Sequence, residues 1–547
     1  MGSLFSKKKK QLQTQNQVVF EQTNEIKPNY HSFSTTYLHL NYQNKSINER
    51  NISFIANELK NFQNLETLIL NLDKNEINSQ GIADLGNSIS LCQNLKKLLI
   101  DLFGNYIGDM GSMALGAQLS YLRNLTSLNL NLSINYISDS GASNLGHGLG
   151  KCQILSILVL KLRCNKIQDF GGFNLCCKLA SCKNLTYLEL DLNQNTISMQ
   201  IGRYFEGFDQ LNKLKTLILD LKENCLQDIG IYHLSLSLEQ LKSIEKITLS
   251  LNKNFITDNK ISDLGIGLAK CDNLTNIHLE LNNNKVSSNG FYGLFSKLVK
   301  KQNLEVLNID LKENILRDNS LTALQTQQEL NTNLVNLILN LQFNRLYSKN
   351  SLLLFQTLAY LCSLSELNLD LYNNQIGDEG TCYLAEGLEK FLKLETLILN
   401  LQENKISDKG ASKLGLKLAS CQQLKNLQIN MSQNTIGIDE KFEMAQGLAN
   451  CKQLEVLKLN FKDNCLDNQK AHILGGLINK LRFVKIIDID LNKNKIFESG
   501  ILFLLNDIQQ CQYLRILKIG SGSLLQKQSV LKKIIKCKRL TQYNLNF

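Results

Sequence analysis

An asparagine returns about every 30 residues along nearly the whole chain. It stands at Asn44, Asn75, Asn105, Asn135, Asn165, Asn195, Asn224, Asn254, Asn284, Asn314, Asn344, Asn374, Asn404, Asn434, Asn464 and Asn494. The step is 30, except for 31 at the first interval and 29 into Asn224. A fixed period of this size is the mark of stacked supersecondary units, each packing only on its neighbours. It also explains how 547 residues can fold without the single large core that ordinary domains fail to build.

Residues 394–421, LETLILNLQENKISDKGASKLGLKLASC, show one unit. Leu397, Leu399 and Leu401 alternate with Ile398 and Asn400, so one face of a short strand is apolar. Leu394 packs in the turn before it. Asn404 marks the bend off the sheet, where an amide can satisfy buried backbone groups as both donor and acceptor. Ile406 returns to the core. Asp408 is placed to cap the helix that follows, as are Asp109, Asp139, Asp169, Asp228, Asp258, Asp318 and Asp378. Leu414, Leu418 and Cys421 then share one helical face. Gly415 is read as letting the helix approach the strand.

This pattern, L-x-x-L-x-L followed by N-x-I/L, resembles the leucine-rich repeat, specifically the ribonuclease-inhibitor-like subtype with a full helix per unit. The resemblance implies an α/β solenoid, a horseshoe with a parallel sheet on the concave side and helices on the convex side. The spacing L-x-x-L-x-L-x-L-x-x-N departs from the family's usual run by two residues and one inward Leu, which lengthens the strand. Members of the family bind proteins on the concave sheet, and the fold does not choose among their roles.

The expected organisation is a flexible basic tether over 1–30, an array of about 16 units over 31–519 and an irregular cap over 520–547. The cap would hold an amphipathic helix with Leu531, Ile534 and Ile535 and a strand at 543–547. The first residues, Met1-Gly2-Ser3-Leu4-Phe5-Ser6, match the signal for N-myristoylation of Gly2. Lys7, Lys8, Lys9 and Lys10 follow, supplying the basic cluster that a single acyl chain needs for stable attachment to an anionic leaflet. No apolar run reaches membrane-spanning length. These features predict a cytoplasmic protein, peripheral on the inner leaflet. The net charge of +11 is otherwise spread among acids, so no nucleic-acid partner is expected.

Cys92, Cys152, Cys182, Cys271, Cys421, Cys451, Cys511 and Cys537 each precede a repeat Leu by three residues, a buried junction that suits a free thiol. No zinc spacing surrounds Cys176 and Cys177, the six histidines are scattered, and His278 occupies an exposed strand position. Asp191-x-Asn193-x-Asn195 imitates a calcium loop but has Thr196 where glycine is required. No catalytic motif is present, so neither an enzyme nor a cofactor is expected.

The exposed strand position before the last Leu is acidic at Asp101, Asp191, Asp220, Glu280, Asp310, Asp370 and Asp490. Asp191 faces Asp220, and Glu280 faces Asp310, arrangements that cost stability. The stripe predicts a protein partner with a basic segment; a solvated face relieved by Lys222 and Lys312 is the alternative. Ile69, Leu99, Val159, Ile218, Ile338 and Ile398 lie two residues earlier on the same face. The function expected is therefore a membrane-tethered, non-catalytic scaffold. The alternatives are a regulator of an enzyme, such as a GTPase activator or inhibitor, and a structural part of a cytoskeletal or ciliary assembly. The family's Ran-activating members carry an acidic tail, where this chain has Lys532, Lys533, Lys536, Lys538 and Arg539.

Overall fold

A computed structural model describes residues 17–21, 35–199, 207–317, 333–439, 442–521 and 539–546. Gly2, Lys7 to Lys10, Asp318, Leu531, Ile534, Ile535 and Cys537 lie outside them. The chain forms two compact units, Met1–Leu274 and Thr275–Phe547.

In the first unit the strands run from β1 (Gln17–Glu21) and β2 (Tyr37–Asn41) through β3 (Thr67–Asn71), β4 (Lys97–Asp101), β5 (Ser127–Asn131), β6 (Ile157–Lys161), β7 (Tyr187–Asp191), β8 (Thr216–Asp220) and β9 (Lys246–Ser250). Each pairs in parallel with the next, in chain order. The second unit repeats this from β10 (Asn276–Glu280) and β11 (Val306–Asp310) onward, ending at β18 (Ile516–Gly520) and β19 (Gln542–Asn546). Helices alternate with the strands, among them α3 (Gly108–Leu119), α10 (Gly377–Leu388), α11 (Asp408–Leu418) and α12 (Glu443–Leu448). The alternating pattern is obeyed in the strands between β1 and β18: Leu397 and Leu399 are buried, while Thr396, Ile398 and Asn400 lie half-buried on the outward face. Leu401, just past the strand, is also buried, and parallel pairing continues through Leu401 N–H to Asn430 O and Glu403 N–H to Ser432 O. The extra residues of this repeat thus add rungs to the ladder.

The asparagines join neighbouring coils. Asn434 is 9% exposed. Its Nδ2 donates to Leu401 O of the preceding coil and to Met431 O of its own, both at 3.0 Å. Its Oδ1 accepts the N–H of Ile406 at 2.9 Å and of Asn404 at 3.1 Å. The residue before the asparagine is left-handed in every coil from Lys74 to Lys493, with φ between +51° and +65°. Only Gly104 among these is glycine; elsewhere the turn imposes a conformation that costs an L-residue about 1–2 kcal/mol.

The expectation for Asn44 is corrected. Register aligns Asn41 with Asn71, so Lys45 is the counterpart of Asn75. Asn44 is exposed and takes the left-handed place. Lys45 offers its backbone N–H to Asn75 Oδ1 at 3.0 Å.

The aspartates are corrected too. Asp109, Asp139, Asp228 and Asp378 open their own helices but cap the next one. Asp378 sits in the first turn of α10, yet its Oδ1 accepts from Ser407 N–H at 2.8 Å and Gly410 N–H at 3.0 Å, at the start of α11. Asp109, Asp169 and Asp228 reach Ser138, Ser198 and Thr257 in the same way. Asp408 takes three successive N–H groups, Gly437, Ile438 and Asp439, each at 2.8 Å. Asp378 thereby satisfies orphan donors at the start of α11 and complements the dipoles of α10 and α11 at once. Gly415 likewise faces the next helix: a Cβ would come within 2.5 Å of the Met444 backbone. The tether expected over 1–30 contains β1, where Gln17-Val18-Val19-Phe20-Glu21 pairs its backbone with β2 and covers that edge. The terminal strand appears one residue earlier than expected, at Gln542–Asn546.

Asn434→Ala leaves three backbone groups, Leu401 O and the N–H groups of Asn404 and Ile406, without partners. At about 1–3 kcal/mol for an orphaned buried group with partial relaxation, a loss of about 3–5 kcal/mol is expected. Urea unfolding should show it, with hydrogen-exchange protection of the Ile406 amide lost first; an unchanged midpoint would refute the staple role.

Candidate functional site

The acidic positions first serve the backbone. Where a strand before β18 ends in Asp or Asn, the side chain accepts the N–H two residues on. Asp101, Asp191, Asp220, Asp310, Asp370 and Asp490 do so through Oδ1 at 2.9–3.1 Å. Asn131, Asn400, Asn430 and Asn460 do the same at 3.0–3.3 Å. This Asx turn explains why residues normally disfavoured in strands recur here. It does not explain charge, because asparagine makes the turn equally well. Glu280, one carbon longer, meets His278 at 3.3 Å instead, and His278 Nδ1 meets Asn308 Nδ2 at 2.8 Å.

All seven acids are half-buried on the outward face. Asp191 and Asp220 are register partners. Burial, then the Asp220 charge, pushes the Asp191 carboxyl up to about 6, against a lowering by the Asn193 N–H. The lysines expected to relieve the stripe point elsewhere: Lys222 pairs with Glu223 at 3.8 Å and Lys312 with Glu313 at 3.4 Å.

The loop edge carries an arrangement that periodicity alone did not reveal. Tyr106 stacks on Tyr136 with centroids 6.0 Å apart, and both are exposed. Lys166 lies 5.4 Å over Tyr136, and Lys74 lies 6.0 Å over Phe103. Tyr106 and Tyr136 are 30 residues apart, so aligning the coils would have exposed the pair.

The repeat thiols are structural. Cys92, Cys152, Cys182, Cys271, Cys421, Cys451 and Cys511 are free and buried. Each Sγ meets the carbonyl 33 residues back, at the end of the preceding coil's helix, at 3.2–4.0 Å. Burial pushes Cys92 and Cys152 up to about 11 and Cys182, Cys421 and Cys451 up to about 12. Among the described residues no group of three or more His, Cys, Asp or Glu is placed to hold a metal ion, and no helix is long and apolar enough to cross a membrane.

At neutral pH iodoacetamide should modify the exposed Cys225 and Cys362 and spare the seven repeat thiols; peptide mass spectrometry reads this, and rapid labelling of Cys421 in the native protein would contradict it. Asp191 gives a pH test. Its unfolded carboxyl ionises near 3.9 and its folded one near 6. Between those values the native state alone keeps the proton, so this residue's contribution falls as pH rises from about 4 to about 6. Asp191→Asn keeps the turn and removes the cost. It should raise the melting temperature at pH 7.5 and leave it unchanged at pH 4; an equal gain at both would exclude the charge as cause.

No family model matches the chain, and no curated protein matches it. Among solved structures it is similar to a leucine-rich-repeat protein of Leptospira interrogans, with 17% identity over 94% of this chain and 97% of that one, at a TM-score of 0.43. The architecture itself is shown by the strands and helices above: a leucine-rich α/β repeat whose parallel strands follow chain order in each unit.

Proposed function

We propose that the chain is a non-catalytic scaffold that holds a protein partner on the outward face of its parallel strands. The observation that carries this reading is the choice of Asp where Asn would serve. Asp191 and Asp220 stand side by side at a cost that folding does not require. Charge kept against stability fits a surface that meets a basic segment. The platform is suited to the task, because strand residues on a packed sheet hold their side chains more firmly than loops do. Acylation of Gly2 with the cluster Lys7, Lys8, Lys9 and Lys10 would tether this scaffold to the cytoplasmic leaflet of a membrane.

One experiment addresses both parts. The tagged protein, an Asp191→Lys, Asp220→Lys, Asp310→Lys variant and a Gly2→Ala variant are expressed in cells fed a clickable myristate analogue, then purified with their partners. The charge-reversed variant should fold with an unaltered circular-dichroism spectrum and lose the partners. Gly2→Ala should lose the label and move from the membrane fraction to the supernatant. Undiminished partner recovery by the reversed variant refutes the sheet-face reading; absence of label on the wild type refutes the tether.

A further inference from the structure

Two places on the outward face of the first unit hold an oxygen that the fold leaves unsatisfied. At the first, Asp73 is 9% exposed, and its Oδ1 is buried with no hydrogen-bond partner. Its Oδ2 accepts from Gln43 Nε2 at 3.0 Å. Burial, then the charge of Asp101 in the next coil, pushes the Asp73 carboxyl up. At the second, Asn193 is 6% exposed and lies between two carboxylates. Its N–H donates to Asp191 Oδ1 at 3.0 Å and its Nδ2 to Asp220 Oδ2 at 3.3 Å, while its own Oδ1 is buried and accepts nothing. The same arrangement recurs satisfied in the second unit: Asn282 Nδ2 donates to Asp310 Oδ2 at 3.0 Å, and Asn282 Oδ1 accepts Lys312 N–H at 3.1 Å.

Lys74 acts on Asp73, and Arg163 and Lys161 act on Asp191, through their charge alone; none donates to the two unsatisfied oxygens, and each is held by another group. Lys74 lies over the Phe103 ring, Lys161 pairs with Glu189 at 3.5 Å, and Arg163 donates to Gln194 Oε1 at 2.9 and 3.0 Å. A buried acceptor without a donor costs about 1–3 kcal/mol, which an incoming donor recovers. The vacant oxygens suit an ammonium or guanidinium group, which donates to two or three acceptors. They suit Ca²⁺ poorly, since it gathers about six to eight oxygens.

Resting on the reading of this face as a protein-binding surface, we propose that each place takes one lysine or arginine head of an extended basic peptide, and that the two places together read their spacing. The places occupy equivalent positions at β3/β4 and β7/β8, four strands apart. At about 4.8 Å per strand the separation is about 19 Å, which about six residues of extended chain span. The partner is therefore a segment with two basic side chains about six residues apart.

The test uses the full-length chain and labelled Gly/Ser/Thr peptides whose two lysines stand about three, about six or about ten residues apart, followed by fluorescence anisotropy. The six-residue spacing should bind at least about tenfold more tightly than the others. Asp101→Asn and Asp220→Asn, which keep the Asx turns, should each abolish that preference, whereas Asp370→Asn in the second unit should not. Equal binding at all spacings, or a preference that survives both substitutions, overturns the proposal and leaves the sheet-face reading standing, since that reading falls only with the charge-reversal experiment. Stabilisation by calcium chloride that Asp73→Asn removes, with no peptide binding, would also overturn it, in favour of a metal.

Discussion

The chain must leave its sheet once per coil, and at each departure it buries carbonyls and N–H groups that no regular ladder can pair. One amide side chain meets this need, and everything else in the structure is arranged around it. Because the asparagine bonds both to its own bend and to the preceding one, it fixes the shape of a coil and the distance to its neighbour together. It also holds the preceding residue in a left-handed conformation that lysine, glutamate or phenylalanine would not choose. Besides the first coil, where Lys45 holds the place, the coil of Asn344 departs. Asn344 is fully buried but its Oδ1 has no partner. The counterpart bend is held through Leu316 O, which accepts Ser288 Oγ at 2.8 Å and Asn350 Nδ2 at 3.2 Å. The second unit therefore has a locally different joint at this coil, held by side chains drawn from two helices.

Periodicity made the strand, the bend, the helix and the buried thiol legible, because each recurs with the same residue type at a fixed place in the coil. What it missed is decided between coils. Asp378 looks like the cap of its own helix because it opens that helix in the chain, while the N–H groups it serves are 29 and 32 residues further on. Gly415 admits the backbone of the next helix, a contact that its own coil does not contain. Asn44 fitted the series by type and nearly by spacing, and only the strand register assigns the position to Lys45. The left-handed residues gave no signal, since glycine appears at just one of them.

On the outward face a structural demand and the proposed binding role fall on the same residues. The Asx turn selects aspartate and asparagine alike, so the stripe of polar residues is in large part a device for ending strands. The informative quantity is the difference between the two residue types. Where aspartate adjoins aspartate, or where an amide oxygen lies buried between carboxylates, the turn has been satisfied and something further retained.

The backward reach of the asparagine has an evolutionary consequence. A coil carries the group that completes its predecessor and receives the same service from its successor. A duplicated stretch of one full period would thus arrive with its own fastening and leave both flanking coils fastened, whichever coil was copied. Loss of a whole period would be healed in the same manner, whereas a slip of a single residue would misplace the amide in every contact it makes. Such a gene can lengthen or shorten by whole turns, which would let the extent of its strand face be adjusted without redesign of the core.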